Sequence, residues 1–339
     1  MTSKQERVII ITGGNSGIGL SLAGRLLAVD TTLVICLACR NLSRADTARS
    51  KLLEDYPESV VEVLQLDTSD LKSVYKAARE VKQKYQRLDY VYCNAGIMPV
   101  TNVNWKNLLY GFTSLNSIVE MFTTGEGLLH LQDDCTKDGL KSIFCTNLFG
   151  HFVFIQELLD LMSNSGGAHI IWTSSSNARR AHFDINDLQH ENGPQAYSSS
   201  KYAMDLLSIG LNEEYNKKGI YSHVSCPGLS MTNITNSILP AWFWTMTSPF
   251  LIVMRALVPR VTLNPDNGAE SLVWLFEQDR STVDQDYKYI SHISVFGTRF
   301  VHPEKIEFDP SEPSEIFKKL CVLECTYRSK LQKQGNLES

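Results

Sequence analysis

Residues 7–19 read Arg7-Val8-Ile9-Ile10-Ile11-Thr12-Gly13-Gly14-Asn15-Ser16-Gly17-Ile18-Gly19. The first six form a β-branched run of the kind buried on both faces of a sheet. The run empties into the glycines, and Leu20, Leu22, Ala23, Leu26 and Leu27 then follow at helical spacing. Strand, glycine turn and helix in that order are the setting of a dinucleotide site. Glycine lets the backbone approach a pyrophosphate, and the amides and dipole of the helix N-terminus meet its charge. A ligand-free glycine turn uses the same residues, and the flanking strand and helix weigh against it. Thr12, Gly13, Asn15, Ser16, Gly17, Ile18 and Gly19 are therefore candidate cofactor contacts.

Moving outward, a second strand over Thr32 to Cys39 ends at Arg40-Asn41, where a site for NAD would offer a carboxylate to the ribose hydroxyls. An arginine there suits a 2′-phosphate, so NADPH is the expected cofactor, with Arg40 and Asn41 beside its adenosine ribose; a solvated arginine at a strand end is the alternative. A helix over Ala45 to Leu53 leads to a strand over Val60 to Leu66. That strand ends at Asp67-Thr68, and Asp67 is placed to accept a hydrogen bond from an adenine amino group. Leu71, Val74, Tyr75, Ala78, Val81 and Tyr85 recur at helical spacing as core contacts. A fourth strand, Leu88 to Cys93, runs into Asn94-Ala95-Gly96.

Further along, Tyr197 and Lys201 stand four residues apart at the start of an apolar helical run that reaches Tyr215 and stops at Lys217-Lys218-Gly219. That spacing puts both on one helix face. A free phenol titrates near pH 10, too high for easy proton exchange at neutrality, and an adjacent ammonium is expected to lower it into use as a general acid or base. Taken alone, the pattern more often marks a surface helix with incidental tyrosine and lysine.

The βαβαβαβ pattern, with its glycine turn first and Asn94-Ala95-Gly96 after the fourth strand, resembles the short-chain dehydrogenase/reductase family over about residues 7 to 297. The resemblance implies an α/β fold: a doubly wound, Rossmann-type parallel sheet of seven strands in the order 3-2-1-4-5-6-7. It implies that Asn94, Ala95 and Gly96 line the cofactor site, and that Asn147, in a long helix from about Asp138, bends that helix and holds a relay water near the lysine. Of the three hydroxyls in Ser174-Ser175-Ser176 at the end of strand five, it favours Ser175 as the one that polarises a substrate carbonyl. Pro227-Gly228 and Thr232, after strand six (Ile220 to Cys226), match the family's turn beside the nicotinamide. In the implied reaction NADPH delivers hydride to a carbonyl carbon and Tyr197 protonates its oxygen, while Lys201 tunes the phenol and holds the nicotinamide ribose. A homodimer paired through the helices of Asn147 and Tyr197 is the family default.

Composition agrees with a globular chain: 339 residues, 43% apolar and 20% charged, with a net charge of -5 that offers no basic footprint for nucleic acid. Eight cysteines, several inside strands, suit a reduced compartment better than a disulfide framework. Cys36 and Cys39 lack the second pair a zinc site needs, so no metal is expected. No secretory, ER-retrieval or prenylation signal is read at either end.

A single domain over residues 1–300 with a helical tail over 301–339 is expected, and three stretches depart from the family pattern. Residues 100–135 carry an apolar insertion (Trp105, Leu108, Tyr110, Phe112, Met121, Phe122) suited to covering the site, padding a subunit contact or touching a membrane. Residues 178–195 are expanded, as in family members that reduce bulky lipids. Within 234–261, Ile238 to Met254 runs for seventeen residues without a charge, with Trp242, Trp244 and two prolines. This is short for a spanning helix, and the last αβ unit must return to the same sheet. Two readings stay open: in-plane membrane insertion with Arg255 and Arg260 at the headgroups, or a buried substrate lid. Either implies a lipophilic substrate.

Cys36-Leu-Ala-Cys-Arg-Asn, Asn94-Ala-Gly-Ile-Met-Pro, Phe149-Gly-His-Phe, Ile171-Trp-Thr-Ser-Ser, Tyr197-Ser-Ser-Ser-Lys-Tyr-Ala and Leu272-Val-Trp-Leu-Phe are similar to stretches of family members acting on sterol ketones. That likeness implies reduction of the 3-ketone of sterol intermediates to the 3β-hydroxyl in cholesterol biosynthesis, and of estrone to estradiol. It places the chain on the endoplasmic reticulum membrane, with its catalytic part on the reducing, cytosolic face. The rivals are a reductase of retinal or another lipid carbonyl and, from a different class, a non-catalytic nicotinamide-binding scaffold, against which the intact Tyr197 and Lys201 weigh.

Overall fold

The computed structural model describes residues 6–103, 129–230, 255 and 258–335. Val8–Thr12 (β1), Val34–Cys39 (β2), Tyr90–Cys93 (β4) and Ala168–Thr173 (β7) are buried along their whole length, as apolar runs covered on both faces should be. With Val60–Gln65 (β3), Ile220–Cys226 (β8), Tyr287–Ile293 (β9) and Arg299–Lys305 (β10) they form one sheet in the order β10-β9-β8-β7-β4-β1-β2-β3. β1 pairs in parallel with β2 on one side and β4 on the other, so the winding direction reverses between β1 and β4. In such sheets ligands bind at that reversal, outside the carboxyl ends of the strands.

The seven parallel strands stand in the expected order, but the count of seven is corrected to eight. β10 joins antiparallel to β9, from residues expected to belong to a helical tail. Its sequence, Arg299-Phe-Val-His-Pro-Glu-Lys, is mostly exposed and includes Pro303, which an edge strand tolerates because one side of it needs no donors. Periodicity carries no signal for a strand with no buried face.

Side chains alternate across β1. Ile9 and Ile11 pack with Gly17–Val29 (α1), Leu42–Asp55 (α2) and Glu270–Glu277 (α6), while Val8 and Ile10 face Leu71–Lys84 (α3), Ser142–Asn164 (α4), Ala196–Tyr215 (α5) and Glu312–Lys333 (α7). Among the described residues α4 is the one helix long and apolar enough to cross a membrane. It is 78% buried inside the protein over that window, which makes it a core helix here. Helix α4 begins at Ser142 rather than near Asp138, whose carboxylate instead accepts from the Leu71 amide at the start of α3 (3.0 Å).

Helix α7 buries Pro313, Ile316, Leu320, Glu324 and Leu331, a stripe at helical spacing. The stripe lies on α5 and α4: Phe317 meets Phe152 edge-on at 6.0 Å and Tyr215 at 5.8 Å, and Tyr327 meets Phe149 at 6.2 Å. Burying Ile316, Leu320 and Leu331 contributes roughly 1.5–3 kcal/mol for each side chain. Arg328 pairs with both Glu157 of α4 and Glu324, and the Tyr75 hydroxyl of α3 donates to Glu324 at 2.8 Å. With the sheet on one side and α7 on the other, α5 is buried on nearly every face. A second copy pairing through α4 and α5 would have to displace α7.

The ends of the first insertion, Val100–Val103 (β5) and Leu129–Leu131 (β6), pair as an antiparallel ribbon. Trp105 to Phe122 fall outside the described residues. The 178–195 stretch packs on α5: Phe183 lies 5.3 Å from Tyr202, and His182 Nδ1 is 2.8 Å from Ser198 Oγ. Thr232 and the apolar run 238–254 also lie outside the described residues. The chain on either side of that run is paired, Ser230 bridging to Leu263 and the Leu229 amide donating to Arg260 O at 2.8 Å.

Candidate active site

Thr12 closes β1, and its hydroxyl is the hub of the glycine-rich loop. It accepts from the Asn94 and Ala95 amides, both at 2.9 Å, and lies 3.1 Å from Tyr92 O and 2.9 Å from His151 Nε2. Two accepted bonds occupy the oxygen's lone pairs, so the hydroxyl proton is left for Tyr92 O or for Nε2. His151 is fully buried, and desolvation pushes it down to about 3, with Lys201 acting in the same direction, so the imidazole is neutral. Asn94 Nδ2 donates to Thr12 O at 3.0 Å, which locks the β4 turn to the loop.

The loop leaves room for a ligand backbone and none for side chains. Gly13 has φ +66°, and a Cβ there would lie 3.1 Å from Ala95 Cα. A Cβ on Gly19 would lie 2.6 Å from Gly13 O and 2.7 Å from Asn94 Nδ2. Ser16 precedes α1 in an extended conformation without capping it through its side chain, and Asn15, Gly17 and Ile18 complete the turn. These residues fit a dinucleotide: a cradle of glycines, free amides at a helix start, and Arg40 at the end of β2, exposed and without an ion pair among the described residues. Asn41 beside it accepts from the Arg44 amide at 2.9 Å and caps α2, a structural role the sequence did not reveal. Asp67 accepts from the Ser69 amide (3.0 Å) and hydroxyl (2.6 Å) at the end of β3. Thr68 is buried, its carbonyl packed so close to Gly150 of α4 that a Cβ there would lie 2.0 Å away.

Across the reversal from the loop stands Asn147, inside a π-helical turn over Cys145–Phe149 that interrupts α4. Its side chain reads the backbone of Ile97 in both directions, Oδ1 accepting from the amide at 2.8 Å and Nδ2 donating to the carbonyl at 3.1 Å. Nδ2 also lies 3.2 Å from Ser200 Oγ on α5. A Cβ on Gly96 would meet Asn147 Oδ1 at 3.2 Å and Lys201 Nζ at 3.6 Å, so β4, α4 and α5 converge there.

Tyr197 lies in the first turn of α5 and Lys201 one turn on, with Nζ 5.7 Å from the centre of the phenol ring. Of the three serines, Ser175 is the one that acts on the Tyr197 phenol, pulling its titration down, and its Oγ accepts from the Asn177 amide at 3.1 Å; Ser176 faces Cys226 Sγ at 3.4 Å, and Ser174 is buried. Desolvation pushes the Tyr197 phenol up to about 12 against the opposing pull of Ser175. Lys201 itself is pushed down to about 8 by desolvation, and its ammonium donates to Thr173 O at 2.7 Å. The phenol therefore keeps its proton at neutral pH, the form from which a carbonyl oxygen is protonated. Pro227 and Gly228 stand at the end of β8, where Gly228 has φ +68° and a Cβ would lie 2.3 Å from Arg260 O. The two arginines expected at headgroups are held by the protein: Arg255 donates to Val261 O (3.0 Å) and Thr262 O (3.3 Å), and Arg260 pairs with Glu304 at 3.2 Å.

A glycine cradle, a serine on a tyrosine, and a lysine one turn further on meet at the carboxyl edge of one sheet, and a family model for short chain dehydrogenases matches residues 7–241. The chain belongs to the short-chain dehydrogenase/reductase family. It is accordingly an oxidoreductase acting on CH–OH or C=O groups. It is 47% identical over 332 residues to a rat protein named 3-keto-steroid reductase/17-beta-hydroxysteroid dehydrogenase 7, covering 98% of this chain and 99% of that one. The human protein of the same name is 45% identical, covering 98% and 97%. A 3-keto-steroid reductase of Schizosaccharomyces pombe is 28% identical over 96% of this chain and 98% of its own. Among solved structures, levodione reductase superposes with a TM-score of 0.60 at 21% identity over 82% of this chain and 93% of its own. Salutaridine reductase from Papaver somniferum does so with 0.59 at 19% over 83% and 98%. These two likenesses concern the fold.

Three residues of the site carried no role in the sequence reading. His151 sits in Phe149-Gly-His-Phe, yet a lone histidine in an apolar helix reads as core. The other two are Asp205 on α5 and Lys288 on β9.

Proposed function

We propose that this chain is an NADPH-dependent reductase of the 3-ketone of sterols, with steroid 17-ketones as a second substrate class. The observation that carries the reading is the buried Tyr197 phenol, protonated at neutral pH with Ser175 acting on it, in a chain similar from end to end to proteins named 3-keto-steroid reductases. Bound nicotinamide supplies the hydride. Ser175 polarises the ketone oxygen and Tyr197 gives it a proton, so charge never builds on an alkoxide in a dry site. Lys201, close to neutrality, is held against β7 and offers its remaining N–H bonds to the nicotinamide ribose and the phenol. Asn147 holds the Ile97 backbone and, through it, the floor of the site. Arg40 supports NADPH over NADH as the partner of the 2′-phosphate. Thr232 is proposed to border the nicotinamide.

The paired Ser230 and Leu263 support an excursion that leaves and rejoins the sheet at one point. A single crossing between them would strand the last αβ unit on the far side of a bilayer. In-plane attachment of the 238–254 run to the cytosolic face of the endoplasmic reticulum membrane fits that constraint and delivers a lipophilic ketone to Tyr197. The covered α4–α5 face supports a chain that does not pair there.

The test is NADPH consumption by the full chain against 3-keto sterols, 17-ketosteroids and all-trans-retinal. The 3-keto sterol should turn over fastest. Turnover of retinal with none of 3-keto sterols would overturn the reading.

A further inference from the structure

Asp205 stands one turn beyond Lys201 on α5 and two beyond Tyr197, so the three share a helix face. Its side chain is 1% exposed and meets Nζ of Lys288, 8% exposed, at 2.5 Å. Lys288 belongs to β9, and the same Nζ lies 3.3 Å from the backbone carbonyl of Ser175. The Ser174 hydroxyl faces the Asp205 carboxylate. A buried ion pair therefore lies directly behind the serine and the lysine of the active site, joining β9, α5 and the end of β7.

Such a pair is poor value as a source of stability. Taking two charges out of water costs several kcal/mol per ion, and apolar residues of the same volume usually pack as well or better. Its geometry points instead to positioning. The Ser175 carbonyl is held from behind by Lys288, while its side chain acts on the Tyr197 phenol in front. Lys201 faces Asp205 and Tyr197 on its own helix, Lys288 on β9, Cys226 on β8, Cys93 on β4 and His151 on α4. Among these Asp205 is the carboxylate. Without it, two buried ammonium groups would confront each other with no counter-charge among the described residues.

We propose that Asp205 and Lys288 are positioning residues of the reductase: Lys288 fixes the Ser175 backbone so that its hydroxyl stays on the Tyr197 phenol, and Asp205 keeps both Lys288 in place and Lys201 charged. The inference rests on the proposed carbonyl reduction for its rate readout, and not for its binding readout.

The experiment compares the full chain with Lys288→Met, Asp205→Asn and the double variant, measuring thermal stability, NADPH affinity as a function of pH, and kcat and KM for a 3-keto sterol. Lys288→Met should lower kcat about 10–100-fold with NADPH affinity within about threefold, because displacement of a supporting group misaligns the reacting atoms. Asp205→Asn should move the alkaline loss of NADPH affinity to lower pH, by on the order of one pH unit, as Lys201 loses its counter-charge. The double variant, which removes both charges of the Asp205–Lys288 pair, should fold at least as well as Lys288→Met and remain slow. A folded double variant with the parent kcat and the parent pH profile would overturn the inference. If the parent reduces no ketone, the functional reading fails, and the pH shift of NADPH binding in Asp205→Asn still decides this one.

Discussion

Thr12 and His151 are joined by a 2.9 Å contact between Oγ1 and Nε2, which ties the first residue of the glycine-rich loop to the turn of α4 that follows Asn147. The cofactor cradle and the helix bend are thus one unit, and its centre is an imidazole that must stay neutral.

That requirement sets a pH dependence. Burial lowers His151 to about 3 and both His223 and His292 to about 4, against an unfolded value near 6.5. A group whose proton binds more tightly in the unfolded chain stabilises the fold fully above the unfolded pKa and loses that contribution as pH falls toward the folded value. The midpoint of thermal unfolding should therefore drop steadily from pH 6.5 to pH 4. His151→Gln should be less stable at pH 7 and show a shallower acid slope; a slope identical to the parent's would contradict the role given to His151.

Gly19 and Gly24 lie in the same helix and should answer oppositely to alanine. At Gly19 the added carbon would sit 2.6 Å from Gly13 O, whereas at Gly24 its nearest neighbour is Leu52 Cδ2 at 3.6 Å. Gly19→Ala should weaken NADPH binding tenfold or more, about 1.4 kcal/mol. Gly24→Ala should raise stability by about 0.5–1 kcal/mol and leave binding alone. Calorimetric titration with NADPH checks both.

Arg40 is exposed and has no ion pair among the described residues, so replacing it should cost little stability. Arg40→Asp should raise the KM for NADPH and lower that for NADH, shifting their ratio by on the order of 10²-fold, since hydrogen bonds to a charged group are worth about 1.5–3 kcal/mol and the carboxylate adds repulsion. Steady-state kinetics with the two cofactors gives the ratio directly.

Gly210 and Pro313 make a close backbone contact: a Cβ on Gly210 would lie 2.4 Å from Pro313 O. Ending the chain after Asp309 removes that contact and uncovers the α4–α5 face. The full chain in detergent should sediment as one copy, and the truncated chain should self-associate. A full chain that crosslinks through α4 and α5 would contradict the covering role of α7.

The sequence made the frame legible where burial is total. β1, β2, β4 and β7 announce themselves because both faces are apolar, and the Gly13–Gly19 turn, Asn94, Asn147, Ser175 and Tyr197 converge because each terminates or interrupts such an element. What stayed hidden has a common physical cause. β10 is an exposed edge with no apolar face, so nothing in Arg299 to Lys305 marks it as a strand. Asp205 and Lys288 look like solvated charges on a helix and a strand, and their pairing is visible only once β9 is laid beside α5. Desolvation of the Tyr197 phenol depends on the whole surround, which its local spacing to Lys201 does not carry.

The proton donor is the centre of the account, and one measurement addresses it most directly: reduction of a 3-keto sterol by the full chain and by Tyr197→Phe at neutral pH, with NADPH affinity determined on the same samples. General acid catalysis of this kind contributes about 10²–10⁴-fold. The account predicts a fall of that size in kcat for Tyr197→Phe with NADPH affinity unchanged; turnover equal to the parent's would contradict it.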